Sequence, residues 1–137
     1  MIVYFKYMKK IIILFSLVLI LIIIITYRYV YKGHRDISTE KESYTITVTD
    51  IFSEFQENEV LSNAKYLDKT IQVTGIVSSA NINSNSILID DKLFVALKDK
   101  LPKSFQLKST VKIKGRFIGY DSLLEELKMD QCVLITQ

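Results

Sequence analysis

The length of the chain, 137 residues, leaves room for one small folded domain after the N-terminal segment and excludes a second core. The formal charge of +3 is unevenly placed: residues 1–36 carry six basic side chains against one aspartate, and the remainder carries 12 basic against 14 acidic ones. The positive charge therefore does not by itself indicate a nucleic-acid-binding domain. The single cysteine, Cys132, excludes an internal disulfide, and we expect it to be a small buried apolar residue.

The N-terminal segment predicts a membrane anchor. Residues 11–25 are apolar except for Ser16, and a helix continued to residue 31 is about 31 Å long, which matches the hydrocarbon core of a bilayer. A basic head, residues 1–10, precedes this predicted transmembrane span of residues 11–31. Met8 is an alternative to Met1 as the residue at which translation starts. The anchor side chains that we expect in the bilayer include Ile11, Leu14, Leu17, Leu19, Leu21 and Ile25.

A cleaved signal peptide is the alternative interpretation, because a basic head before a short apolar run is also typical of that signal. Tyrosine and arginine side chains stand where the small residues of a cleavage site would be, and no cysteine follows the apolar run to accept a lipid. These features favour an uncleaved signal-anchor. Basic residues flank both ends of the span, and we expect a cytoplasmic N-terminus with the domain outside the cytoplasm.

A polar segment follows the anchor and leads into the domain. Residues 32–45 are rich in charged, serine and threonine side chains, and they predict a flexible stalk before a domain of residues 46–137. Thr49 or Asp50 can cap a first short helix, and Asn58 breaks the helical pattern and can cap a second one. On the second helix we expect three residues to share an apolar face: Leu61, Ala64 and Leu67.

Five β-strands are predicted after residue 70, because the hydrophobic pattern changes there to a period of two. Gly75 and Gly115 lie inside the first and fourth strands, where a glycine indicates a bulge or a sharp bend. The predicted fold class is therefore mainly β: a five-stranded, OB-fold-like Greek-key barrel, preceded by one or two short helices and the N-terminal transmembrane helix. The five strands cover residues 71–77, 87–89, 93–97, 111–117 and 127–135.

The domain also resembles a known group of sequences, the tRNA_anti-like family of bacterial OB-fold proteins. The likeness covers residues 48–136 and rests on these positions: Phe55, Asn58, Ala64, Tyr66 and Lys69, then IQVTGIV, VKIKGRFIGYD, and a D-x-C at Asp130 and Cys132. The resemblance implies an OB-fold, often in a membrane-tethered protein or a lipoprotein, and it implies the fold more directly than an activity. Since this chain lacks the lipid-acceptor cysteine, its anchor would be the helix itself.

A basic strip is the candidate binding site. Residues 92–116 carry eight basic side chains against Asp99, and three of them alternate along the fourth predicted strand: Lys112, Lys114 and Arg116. Phe94 and Tyr120 are candidate stacking aromatics for an oligonucleotide. For each feature the sequence favours the simpler alternative: a solvated strand face whose lysines prevent edge pairing, a core position for Phe94, and a Tyr120 that packs on the barrel.

No catalytic or metal site is predicted. The only histidine, His34, lies in the predicted stalk, and Asp90–Asp91 and Glu125–Glu126 are adjacent pairs whose side chains diverge. We therefore expect no cofactor, no metal and no enzymatic activity. The sequence favours a non-catalytic binding module of the bacterial cell envelope, held at the membrane and directed at a protein or another envelope macromolecule. The alternative is nucleic-acid binding through the basic strip.

Overall fold

The computed structural model describes residues 1–31 and 35–135, so His34 lies outside the described residues. The chain divides into two units, Met1–Arg35 and Asp36–Gln137. The first unit contains one helix, α1 (Ile2–Val30), with no buried side chain. Its 29 residues give a length of about 44 Å. This helix is long and apolar enough to cross a membrane, and it includes the predicted basic head as well as the predicted span.

The second unit is a closed five-stranded barrel with one additional strand. Its elements are β1 (Tyr44–Thr47), α2 (Val48–Glu57), α3 (Glu59–Tyr66), β2 (Thr70–Asn81), β3 (Ser86–Ile89), β4 (Leu93–Leu97), β5 (Thr110–Asp121) and β6 (Glu126–Leu134). Strands β2, β3, β4, β6 and β5 pair in that order, and β5 pairs back onto β2 to close the barrel. Among the described barrel strands β4 and β6 run parallel, and β1 adds in parallel to β2. The predicted mainly β, OB-fold-like class is confirmed.

The core forms because the inward side chains of each strand are apolar and alternate with polar outward ones. An aromatic cluster joins this core to the two helices: the Phe117 ring lies 5.3 Å from the Phe55 ring and 6.2 Å from the Tyr66 ring, centroid to centroid. The Tyr66 hydroxyl donates to Glu54 Oε2 at 2.9 Å, which ties α3 to α2. The family-pattern residues Phe55 and Tyr66 thus have a packing role.

The two helices confirm the predicted break but correct its details. Asn58 caps α3, since its Oδ1 accepts from the Leu61 amide at 3.0 Å. The cap of α2 is Thr47, so the predicted caps Thr49 and Asp50 were wrong; Asp50 instead exchanges hydrogen bonds with Thr47 in a reciprocal cap.

The predicted apolar face of α3 was also wrong. Leu61 is 67% exposed and Leu67 49% exposed, and the buried side chains of the helix are Ser62 and Tyr66. The large Tyr66 ring occupies the interior, so the residue one turn before it faces inward as well, and that residue is Ser62.

The D-x-C motif builds a bulge in β6. Lys114 pairs with Val133 and Arg116 pairs with Asp130, so that two residues of β6 lie opposite Gly115. The Cys132 thiol occupies the space beside Gly115 and donates to the Asp130 carbonyl at 3.3 Å, and a Cβ on Gly115 would overlap the Cys132 Sγ. Gly115 and the D-x-C motif are therefore explained by close packing between β5 and β6.

Candidate functional site

Residues 36–43, which we call the strap, precede β1 and contact the barrel from outside. Asp36 Oδ1 lies 3.0 Å from the ammonium of Lys98, the first residue after β4, and the Glu40 carbonyl accepts from Lys114 of β5 at 3.0 Å. The Ser43 amide then donates to the Thr70 carbonyl of β2 at 2.8 Å. Within residues 35–45, the described part of the predicted stalk of residues 32–45, Asp36, Glu40 and Ser43 thus contact the barrel and the last two residues belong to β1.

Two basic side chains of the strip, Lys114 and Arg116, form hydrogen bonds with other parts of the domain. Arg116 forms two hydrogen bonds with the Asp130 carboxylate, at 2.8 and 2.6 Å, and its pKa is raised by that hydrogen bonding. Lys114 holds the strap through Glu40. Of these three strand residues, Lys112 is the one whose ammonium has no hydrogen-bond partner among the described residues. Lys112 also lines a cavity of about 460 Å³. Two of the three predicted cations are therefore engaged within the fold, and a phosphate would have to compete with those contacts.

Tyr120 does not join this strip, because it packs at the far end of β5 against α2. Its hydroxyl accepts a hydrogen bond from Gln56 Nε2 at 2.7 Å, and its ring lies 5.4 Å from the Phe55 ring and 6.1 Å from the Phe52 ring. Desolvation is the main cause that raises the pKa of Tyr120, followed by the charge of Glu125. These contacts agree with the alternative that Tyr120 packs on the barrel.

Phe94 was expected in the core, and the structure corrects this. Leu93 and Val95 point into the barrel, so the alternation of β4 places Phe94 on the outer surface, where it is 36% exposed. The phase of the alternation could have revealed this position, since Leu93, Val95 and Leu97 are all apolar.

Phe94 lies on a shallow polar surface that we call the β3–β4 face. Its cavity of about 270 Å³ is lined by Phe94, Leu88, Ser79, Asn81, Ser84, Ser86, Ile87 and Glu126. The surface combines an aromatic ring with hydroxyl and amide groups, and its one ionisable side chain, Glu126, is acidic. OB-folds bind ligands on their second and third barrel strands, which here are β3 and β4. Sequence reasoning did not select this face because its polar residues come from separate strands and turns.

The described residues contain no group of three or more histidine, cysteine, aspartate or glutamate side chains that could hold a metal ion. The Cys132 thiol is buried, and desolvation raises its pKa well above the usual range, so it is a poor nucleophile. Asp90 is used structurally, since its Oδ1 accepts from the Ile76 amide at 3.1 Å. The described geometry therefore offers a surface for binding and no assembled acid–base pair.

The strap makes a testable contact through Asp36. Hydrogen bonds from Ser38 and from Lys98 lower the pKa of Asp36 from 3.8 to about 2. The contact with Lys98 should therefore be complete above about pH 4 and should be lost as the pH falls through about 2. At neutral pH we expect Asp36→Asn to accelerate tryptic cleavage at Lys41, whereas Asp91→Asn, which neutralises an exposed aspartate outside the strap, should leave the cleavage rate unchanged. Equal rates for both variants would contradict the contact.

Comparison with known proteins identifies one family, and two of the solved structures that match are described here. The model of the tRNA_anti-like family matches residues 1–121. The crystal structure of a predicted nucleic-acid-binding lipoprotein of Klebsiella pneumoniae is 14% identical, with a TM-score of 0.47 over 67% of this chain and 91% of the lipoprotein.

The crystal structure of a predicted aspartyl-tRNA synthetase of Leishmania major is also 14% identical, with a TM-score of 0.41 over 73% of this chain and 22% of the synthetase. No curated protein matches the sequence. Both structural likenesses are weak, so the family match is the finding on which membership rests. Because the family model covers well over half of the sequence, this chain belongs to the tRNA_anti-like family.

Proposed function

We propose that this chain is a membrane-anchored, non-catalytic binding module of the bacterial cell envelope. In this proposal α1 is an uncleaved anchor and the OB-fold domain is displayed outside the cytoplasm. The observation that carries the proposal is α1 itself, a 29-residue apolar helix none of whose side chains is buried. A helix with an apolar surface on all sides is stable in lipid and poorly suited to water.

The proposed binding surface is the β3–β4 face. The basic strip of Lys112, Lys114 and Arg116 is less suitable, because Arg116 is paired with Asp130 and Lys114 holds the strap. The β3–β4 face instead presents the Phe94 ring, 36% exposed, beside the exposed side chains of Ser79 and Asn81. The hydroxyls of Ser84 and Ser86 on the same face bond each other at 2.7 Å. An aromatic ring rimmed by hydrogen-bonding groups suits a protein or another envelope macromolecule, with the ring as the apolar contact.

Nucleic-acid binding is a second candidate, favoured by the Phe94 ring at the position where OB domains stack bases. Its test is the retention of single-stranded RNA or DNA by the chain at increasing salt. Loss of retention in Phe94→Ala, with retention kept in Leu88→Ala, would favour this candidate. We expect no salt-dependent retention, because the face contains Glu126 and no cation.

The anchor is tested by alkaline washing of membranes from cells that produce the chain. We expect the full chain to stay in the membrane pellet with its complete mass, because removal of α1 from lipid exposes a long apolar surface. A matched variant that starts at residue 36 keeps the whole second unit and should move to the soluble fraction. Release of the full chain by the wash, or a mature mass that lacks α1, would contradict the proposal.

A further inference from the structure

Two leucine side chains stand in solvent at the tip of the β5–β6 hairpin. Leu123 is 94% exposed and Leu124 is 66% exposed. The turn is preformed, because Asp121 Oδ1 accepts hydrogen bonds from both leucine amides at 3.0 and 3.1 Å. The other carboxylate oxygen of Asp121 lies 3.1 Å from the Lys128 ammonium. A fixed turn that presents two apolar side chains loses little entropy on docking, so this leucine tip is suited to enter an apolar cavity.

The surroundings of the leucine tip are acidic. Glu125 and Glu126 follow the leucines directly in the sequence. The negative charge of Glu59 in α3, like that of Glu125, raises the pKa of Tyr120, so Glu59 also lies near this end of β5. Lys92 offsets Glu125 only weakly, at 3.9 Å. An anionic lipid surface would repel these carboxylates, and a surface that combines lysines with apolar side chains would attract them.

The opposite end of β5 carries such a surface, which we call the lysine socket. The loop between β4 and β5, residues 98–109, contains Lys100, Lys103 and Lys108 against Asp99, besides Lys98, which is already paired with Asp36. It borders a cavity of about 210 Å³, below the range of roughly 300–1,000 Å³ that is usual for small-molecule sites. A cavity of this size and lining suits a protein side chain. Its lining includes Ile82, Leu101, Phe105, Leu107 and Lys103.

The lysine socket is held in shape by Asn85, which lies in the turn before β3. The Asn85 side-chain amide donates to the carbonyls of Leu97 and Asp99 at 2.9 and 2.8 Å, and its Oδ1 accepts from the Leu101 amide at 2.8 Å. These three bonds fix the start of the loop next to the cavity. The socket is therefore preformed, as is the leucine tip.

The leucine tip and the lysine socket cannot meet within one molecule, because they lie at opposite ends of β5. Twelve strand residues separate them by roughly 35 Å along the strand. We propose that the leucine tip of one copy docks into the lysine socket of a second copy of this chain, with acidic groups facing lysines around the apolar contact. The contact is heterologous, so further copies can add in the same way. This inference goes beyond the proposed function and does not depend on which side of the membrane the domain occupies.

Cysteine crosslinking in isolated membranes tests this contact with the full chain. Two differently tagged copies are produced together, one with Leu123→Cys and the other with Leu107→Cys, while the native Cys132 is fully buried. The matched control replaces Leu107→Cys with Leu67→Cys, because the two side chains are similarly exposed at 55% and 49% and Leu67 lies away from the socket, next to the residue that bonds Phe117. We expect a short bismaleimide to join the Leu123 and Leu107 positions at least about tenfold faster than the Leu123 and Leu67 positions.

A second substitution keeps the test specific to the leucine tip. Adding Leu124→Lys to the Leu123→Cys copy should reduce the crosslink to the control rate, because it places a cation among the lysines of the socket. Equal rates for the Leu107 and Leu67 positions would overturn the proposal. Adducts only between two Leu123→Cys copies, or only with a different protein, would overturn it as well.

Discussion

Gly115→Ala should lower the free energy of unfolding of the barrel by about 2–3 kcal/mol. The added Cβ would overlap the Cys132 Sγ and would lie 3.0 Å from the Asp130 carbonyl oxygen, which belongs to the backbone. The neighbouring strand therefore cannot yield by a side-chain rotation alone. Urea unfolding of the purified full chain, followed by the near-ultraviolet circular dichroism of its tyrosines, measures the loss.

The double variant Gly115→Ala with Cys132→Ala isolates the contact between the two positions. Removal of the sulfur opens space for the new methyl group, so the two substitutions together should cost about 1 kcal/mol less than the sum of the single costs. The relief should be incomplete, because the Asp130 carbonyl remains close. Strict additivity, or a Gly115→Ala variant as stable as the natural chain, would show that β5 and β6 are not packed in this way.

Phe117→Ala should be still more destabilising, by about 4 kcal/mol. The Phe117 side chain is completely buried at the junction of the barrel with α2 and α3, where it meets the rings of Phe55 and Tyr66. A domain of this size has only about 5–15 kcal/mol of total stability, so this variant should unfold at a much lower urea concentration.

The adjacent residue provides the control for Phe117. Ile118 follows it on the opposite face of β5 and is 44% exposed, so Ile118→Ala should cost less than about 1 kcal/mol. The comparison separates burial from any general effect of shortening a side chain in this strand. Similar losses for the two variants would contradict the assignment of inward and outward faces along β5.

The features that could be predicted from sequence are those determined by local chemistry. Asn58 interrupts one helical pattern and supplies an oxygen for the next helix, so both the break and the cap were predictable. The period-two pattern located all five barrel strands. Closure of the barrel by β5 with β2 followed from the strand number and the glycine positions through the general geometry of small barrels.

The features that were missed depend on contacts between distant parts of the chain. Strand β1 is short and mixed in polarity, and only its pairing with β2 makes it a strand. The sequence of the strap predicts only a polar linker, because the residues that it contacts, Lys98 and Lys114, lie 62 and 74 residues further along the chain. Neither partner leaves a periodic signal in the segment itself.

The candidate site was also only partly predictable from sequence, because its contacts join distant parts of the chain. The alternation of lysines on β5 is visible in the sequence, but the partners of Arg116 and Lys114 are not, because Asp130 and the strap reach them only in the folded barrel. The β3–β4 face could have been inferred in part from the phase of β4, which places Phe94 outward. Its polar rim requires three separate segments to meet, and no local pattern predicts that.

Reporter fusions at the C-terminus test most directly the claim that α1 anchors the domain outside the cytoplasm. A fused alkaline phosphatase, which is active only outside the cytoplasm, should be active in bacterial cells, and a fused green fluorescent protein exported by the same route should be dark. The matched control starts the fusion at residue 36, which should reverse both signals because α1 is absent. A fluorescent, phosphatase-negative result for the full chain would place the domain in the cytoplasm and contradict the proposal.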